Sequence, residues 1–209
     1  MHDRPAVRML GLFGFAAALA VAGLIATAAA EDPPVRVRGT IHTVDGNVLT
    51  ITARDGAALK VRLTDKATVA AVVKASLADI KPGTFVGTAA MPQADGSWKA
   101  IEVLIFPEAM RGTGEGDRPW DLLPRSTMTN ATVADAVSKV EGHALTLKYK
   151  DGEKTVVVPP EAPIVTFAPG ERSELKPGST IFIAAAAKQP DGTLEAARIT
   201  VGRDTPPPM

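Results

Sequence analysis

The chain has 209 residues, and its 23 Lys+Arg balance 23 Asp+Glu, so the formal net charge is zero. That balance sets up no field to gather nucleic acid or anionic lipid. The absence of cysteine excludes disulfides, thiol catalysis, a lipid anchor on cysteine and Cys-based zinc sites. Hydrophobic residues at 45% are enough for a packed core, but aromatics at 4% leave Val, Ile, Leu and Ala to build it.

Arg4 and Arg8 precede an almost unbroken apolar and small-residue run from Met9 to Ile25, then Ala28-Ala29-Ala30 and the polar break Glu31-Asp32-Pro33-Pro34. A basic start, an apolar helix and an A-x-A site are the parts of a secretory signal. The expectation is a signal peptide over residues 1–30, cleaved to give a mature chain from Glu31 in the periplasm or outside the cell. The competing reading is an uncleaved anchor, since the run is nearly long enough to cross a bilayer. The mature chain has no other apolar segment long enough to span one.

Beyond residue 34 the sequence repeats itself. Val44-Asp45-Gly46-Asn47-Val48-Leu49-Thr50-Ile51 matches Val140-Glu141-Gly142-His143-Ala144-Leu145-Thr146-Leu147, an offset of 96. Asp55-Gly56 matches Asp151-Gly152 and Val61 matches Val157 at that offset. Ile80-Lys81-Pro82-Gly83 matches Leu175-Lys176-Pro177-Gly178 at 95, and Asp95-Gly96 with Ala100 matches Asp191-Gly192 with Ala196 at 96.

Within the first copy, Val35, Val37 and Ile41 alternate with polar residues, as do Leu49, Ile51 and Ala53, and Leu59, Val61 and Leu63. Period two predicts strands with one face inward, and the Asp-Gly pairs supply the positive φ angles of tight hairpins. A less regular stretch (64–79, and 160–174 in the second copy) leads through Lys-Pro-Gly to a fourth strand at 84–91 or 179–187. A last Asp-Gly hairpin gives a fifth strand, with Ile101, Val103 and Ile105 or Ala197, Ile199 and Val201. The expected fold is all-β, two tandem five-stranded OB-like, partly open Greek-key barrels, at 35–106 and 131–203. A two-layer β sandwich is the alternative. Residues 107–130 form a connector and 204–209 a disordered tail.

The ordered motif Gly39, Val44-Asp45-Gly46, Leu49-Thr50-Ile51, Asp55-Gly56, Ile80-Lys81-Pro82-Gly83, Asp95-Gly96 and Ala100 resembles a family of small secreted bacterial domains of unknown function, present once per copy. The second copy has Asp135 in place of the first glycine. The resemblance implies OB-like barrels in the cell envelope. Some similar chains carry labels of metal transport systems, including permeases, a role that needs spanning helices this mature sequence lacks. These motifs specify turns, not chemistry.

Chemistry is sparse. There is no G-x-S-x-G elbow, and the mature chain holds two histidines, His42 on the outward face of the first strand and His143 in a hairpin turn, at inequivalent positions. Neither zinc nor calcium spacing is present, and Gly112-Thr113-Gly114-Glu115-Gly116 lacks the strand–helix context of a phosphate loop. Few aromatics and a neutral charge argue against nucleic-acid binding. The expected class is therefore a non-enzymatic binding or interaction module without cofactor, its partner an envelope protein or a small molecule. An accessory role in metal handling is the alternative, and a hydrolase with paired carboxylates is a weaker third.

The connector differs in kind. It holds one of the two tryptophans, two of the six methionines, three Arg and four acids, and Pro107, Pro119 and Pro124 restrict it. One reading packs Trp120, Leu122 and Leu123 into a seam between barrels. The other makes Arg111, Glu115, Asp117, Arg118, Trp120 and Asp121 a binding cleft, with the arginines gripping a carboxylate or phosphate and Trp120 forming an apolar wall. Glu115, Asp117 and Asp121 also form a loose acidic group for a hard cation.

Overall fold

The computed structural model describes residues 32–139 and 142–207; the expected signal peptide lies outside them. Twelve strands follow in chain order: β1 (Val35–Asp45), β2 (Val48–Ala53), β3 (Ala58–Lys74), β4 (Phe85–Pro92), β5 (Trp98–Ile105), β6 (Gly116–Pro119), β7 (Thr127–Lys139), β8 (Gly142–Tyr149), β9 (Gly152–Val158), β10 (Ile164–Pro169), β11 (Thr180–Lys188) and β12 (Leu194–Gly202). The fold is all-β, and the helical pieces among the described residues are single three-residue 3-10 turns.

Local chemistry repeats faithfully. In each copy the Asp of the last hairpin accepts two hydrogen bonds from the residue after the glycine. Ser97 N and Oγ donate to Asp95 Oδ1 (2.9 and 2.7 Å), and Thr193 N and Oγ1 to Asp191 Oδ1 (2.9 and 2.6 Å). Gly96 and Gly192 between them sit at φ of 82° and 80°, where a side chain is strained. A 3-10 turn capped by an acidic side chain, Asp79 or Glu174, precedes each Lys-Pro-Gly.

The strands do not close up copy by copy. β1 pairs with β2 and β2 with β3, as the meander predicts, but the circuit is completed by β11 against β1 and β12 parallel to β3. The result is a closed five-stranded barrel, β1-β2-β3-β12-β11. Its core joins Val37, Ile41, Leu49, Ile51, Val61 and Leu63 to Ile181, Ile183, Ala196, Ile199 and Val201. The remaining repeat strands follow the same circuit: β7-β8-β9, then β5 parallel to β9, then β4 paired with β5 and β7. Their core is Val86, Ala90, Ala100 and Val103 with Ala131, Val133, Leu145, Leu147, Val156 and Val158.

This corrects the expected division at 35–106 and 131–203. The first circuit is discontinuous in sequence, and the second is a continuous stretch from β4 to β9 inserted into it. The reason is physical. Both copies offer the same edges to a fourth and fifth strand, so the repeat fixes the interface but not which copy fills it. The choice is made by β3, whose 17 residues run past the predicted end of that strand. Its continuation Ala70–Lys74 pairs antiparallel with Val165–Pro169 of β10, and Ala75 N donates to Ile164 O (2.8 Å). The chain enters and leaves the inserted circuit through this two-stranded neck. β10 also runs parallel to β5, so all twelve strands form one continuous sheet.

Two smaller expectations change. Leu49 lies opposite Val61, but Leu145 lies opposite Val156, so the offset drops to 95 in that hairpin and Val157 is not the counterpart of Val61. A one-residue slip exchanges faces, and Lys154 thereby shares the inner face with Leu147. Its side chain is 6% exposed, donates to Asp117 Oδ1 (2.9 Å) and Thr127 Oγ1 (2.7 Å), and lies 3.4 Å from the centroid of the Trp98 ring. The start of the expected tail is not loose either: Pro207 is buried, and with Pro206 it faces Arg38 and Phe182.

Candidate functional site

The strands after each Lys-Pro-Gly break the period-two rule. FVGTAAMP and TIFIAAAAK are apolar or small on both parities; β4 is buried or half-buried throughout, whereas β11 leaves Ala184 and Ala185 exposed. Their inner faces carry Val86 and Ala90, or Ile181 and Ile183, in the two cores. Their outer faces, with those of β5 and β12, are turned toward one another across a cleft of about 440 Å3. Gly87, Ala89, Glu102 and Leu104 line one wall, and Phe182, Ala184, Ala197, Arg198 and Thr200 the other. Corresponding positions of the repeat thus line the same space: Gly87 and Phe182, and Glu102 and Arg198. β10 adds Phe167, and the connector with the start of β7 adds Met110, Thr113, Arg118, Trp120, Met128 and Asn130.

The composition of this cleft is unlike the rest of the protein. Beyond residue 31 the chain has seven aromatic residues, and four of them, Phe106, Trp120, Phe167 and Phe182, line it. Phe106 packs against Phe85 and Phe167, with ring centroids 5.3 and 6.1 Å apart. Gly87 is required by the packing: a Cβ there would stand 2.8 Å from Asn130 Oδ1 and 3.1 Å from the Phe106 ring.

The connector is ordered by its own hydrogen bonds. β6 pairs with β7, placing Arg118 opposite Met128 and Gly116 opposite Asn130. Ser126 closes the intervening turn, with Trp120 N donating to its carbonyl (2.8 Å) and Leu123 N to its Oγ (3.1 Å). Gly112, Gly114 and Gly116 all have positive φ. The loop they shape presents Thr113 O to Asn130 Nδ2 (2.9 Å) and Gly114 O to Arg118 Nη1 (2.7 Å).

The six residues singled out from the sequence do not all meet. Arg118 and Trp120 line the cleft. Asp121 lies behind Trp120, held by both Arg38 guanidinium nitrogens (3.0 and 3.2 Å) and by Arg36 (3.4 Å). Arg36, Arg38 and Arg118 surround the indole at 4.4, 5.4 and 5.7 Å from its centroid. Burial works to raise the Asp121 pKa, but the Arg38 hydrogen bonds and the charges of Arg38 and Arg36 outweigh it and hold the carboxyl below 3.8. Asp117 is committed to Lys154 and Thr129, and Glu115 accepts from Lys150 N (3.1 Å). Arg111 bonds Glu108 and the Gly83 carbonyl (2.9 Å), bracing the Lys-Pro-Gly turn. The loose acidic group is therefore dispersed, and no three His, Cys, Asp or Glu side chains gather as a cation cage among the described residues.

Sequence reasoning missed most of the cleft: Gly87, Glu102, Phe106, Asn130, Phe167, Phe182 and Arg198. The doubly apolar strands were the available signal. Among the described residues three buried side-chain polar atoms lack a hydrogen-bond partner: Arg38 Nε, Trp120 Nε1 and Asn130 Oδ1. The last two belong to residues lining the cleft. The Asn130 amide orientation follows from its bond to Thr113 O, which only the nitrogen can donate. Arg118 forms no ion pair among the described residues. Its burial first, and then the charge of Arg36, make its cation less favourable, with Asp117 partly compensating.

No protein-family model, no curated protein and no solved structure matches the chain.

Proposed function

We propose that the protein is an exported, non-enzymatic binding protein of the cell envelope, built of two OB-like circuits that hold a small, mainly apolar molecule in the cleft between them. The observation that carries this is the concentration of aromatic side chains, with Met110 and Met128, around one space of about 440 Å3. That volume falls within the range of small-molecule sites, which are apolar with a few placed polar groups. The OB-like assignment rests on the strand order 1-2-3-5-4 and the parallel pairing of third and fifth strands, seen in β3 with β12 and β9 with β5. Export rests on the pattern of residues 1–30.

The test is titration with 1-N-phenylnaphthylamine, an apolar dye whose fluorescence rises on leaving water. One saturable site is expected, weakened at least tenfold by Phe182→Ser. Binding that is absent, or indifferent to that substitution, would remove the proposal. The export claim is tested by the intact mass of the protein in a periplasmic extract, expected to begin at Glu31; a membrane-held species retaining residues 1–30 would refute it.

A further inference from the structure

We infer that the cleft is specific for an apolar carboxylate, with its anionic end at Arg118 and the Trp120 indole N–H and a hydrogen-bond donor close to the carboxylate at Asn130 Oδ1. This rests on the binding reading above and adds the chemical class of the ligand.

Three observations converge on it. The Trp120 N–H is buried and donates to nothing among the described residues, although buried indole nitrogens ordinarily find an acceptor. Arg118, two residues before it in β6, donates to one backbone carbonyl and has no carboxylate partner among the described residues. The acid whose charge acts on Arg118, Asp117, is committed to Lys154 and Thr129, and Asp121 is shared by Arg36 and Arg38. A guanidinium fork beside an N–H donor, in a space walled by aromatic rings, suits a carboxylate attached to an apolar body. A ligand anion would also offset the crowding of Arg118 by Arg36.

The neighbouring position needs the opposite group. Asn130 is 5% exposed, and its Oδ1 accepts nothing among the described residues. It stands opposite Gly116, while Arg118 is opposite Met128 and Trp120 N reaches Ser126 O. The Arg118 side chain turns back toward Asn130: a Cβ on Gly114 would stand 3.4 Å from Arg118 Nη2 and 3.3 Å from Asn130 Nδ2, so the two side chains are neighbours. A ligand O–H or N–H a few atoms from its carboxylate would satisfy it. A plain hydrocarbon would leave the indole N–H and Asn130 Oδ1 desolvated and unpaired and Arg118 without a counter-charge, which is costly.

The experiment displaces 1-N-phenylnaphthylamine with decanoate, decan-1-ol and 3-hydroxydecanoate. Decanoate is expected to compete at least tenfold better than decan-1-ol. Arg118→Gln should abolish that preference while leaving the affinity for the alcohol unchanged, and Arg118→Lys should restore part of it. 3-Hydroxydecanoate should exceed decanoate severalfold in the wild type and equal it in Asn130→Ala. If the alcohol competes as well as the acid, or Arg118→Gln leaves their ratio intact, the inference fails while the apolar cleft stands. If the dye itself does not bind, the cleft reading fails and takes this inference with it.

Discussion

Replacing Asp117 by Asn isolates one buried charge. Lys154 occupies an inner-face position, with its side chain 6% exposed against 29% for Asp117. Burial lowers the Lys154 pKa from 10.5, and the hydrogen bond and charge of Asp117 oppose that shift. Removing the carboxylate leaves a desolvated ammonium whose remaining support is Thr127 Oγ1 and the Trp98 ring. Breaking a buried pair from one side ordinarily costs 3–5 kcal/mol, and the partial exposure of Asp117 points to the lower end, about 3 kcal/mol. Lys154→Met keeps the contact with Trp98 and lets Asp117 turn to water, so it should lie within about 1 kcal/mol of wild type. The double variant should match Lys154→Met, giving a coupling of about 2 kcal/mol or more in urea unfolding. The pH dependence has a fixed sign. With the folded pKa below 10.5, the unfolded chain binds more protons in that window, so stability rises with pH toward 10.5. The cost of Asp117→Asn should therefore be full at neutral pH and shrink as pH approaches 10.5. A variant within about 0.5 kcal/mol of wild type, or a double variant as unstable as Asp117→Asn, would refute the assignment of Lys154 as a buried, Asp117-dependent cation.

Three further outcomes follow from the geometry. Residues 76–160, which contain the whole second circuit, should give a β-type circular dichroism spectrum and a cooperative melt, whereas residues 32–106 should not; a folded, monomeric 32–106 would contradict the strand pairing. Gly87→Val should drive methyl groups toward Asn130 and Phe106 and weaken dye binding at least tenfold, about 1.4 kcal/mol; an unchanged titration would place the dye elsewhere. The Asp121 carboxyl is held below 3.8, so its contribution is present above that pH and is lost as pH falls through the lower folded value. Urea unfolding of wild type and Asp121→Asn should accordingly converge toward pH 2, and a gap that widens with acid would refute the Arg38–Asp121 account.

The turns and inward faces were legible in the sequence because they are set locally. Val37, Ile41, Leu49, Ile51, Val61 and Leu63 point inward as their alternation requires, and each Asp-Gly sits at its hairpin. The partner of each meander was not legible. A repeat offers two chemically equal fillings for one edge, and the length of β3, which selects between them, lay hidden in Thr64–Lys74, where strict alternation fails. Of the candidate site, Trp120 and Arg118 stood out because the connector departs from the repeat. Phe182 and Gly87 did not, because each looks like an ordinary strand residue until the two outer faces are set against each other. Arg111, Glu115 and Asp117 were conspicuous by charge, but they brace backbone and a buried lysine.

The insertion of one circuit within the other also imposes an order on folding. β4 to β9 can close once residue 158 has been delivered, but β1 to β3 must wait for β11 and β12, and the β3–β12 ladder joins Val61 to Leu194. Pairings so distant in sequence are slow to form, because the intervening loop must be closed first. Until then the β1–β3 meander carries open edges that can pair with a neighbouring chain. The late pairing that seals those edges is also the one that brings Phe182 and Arg198 up to the already formed wall of Gly87 and Glu102. The cleft is therefore the last feature of the fold to be completed.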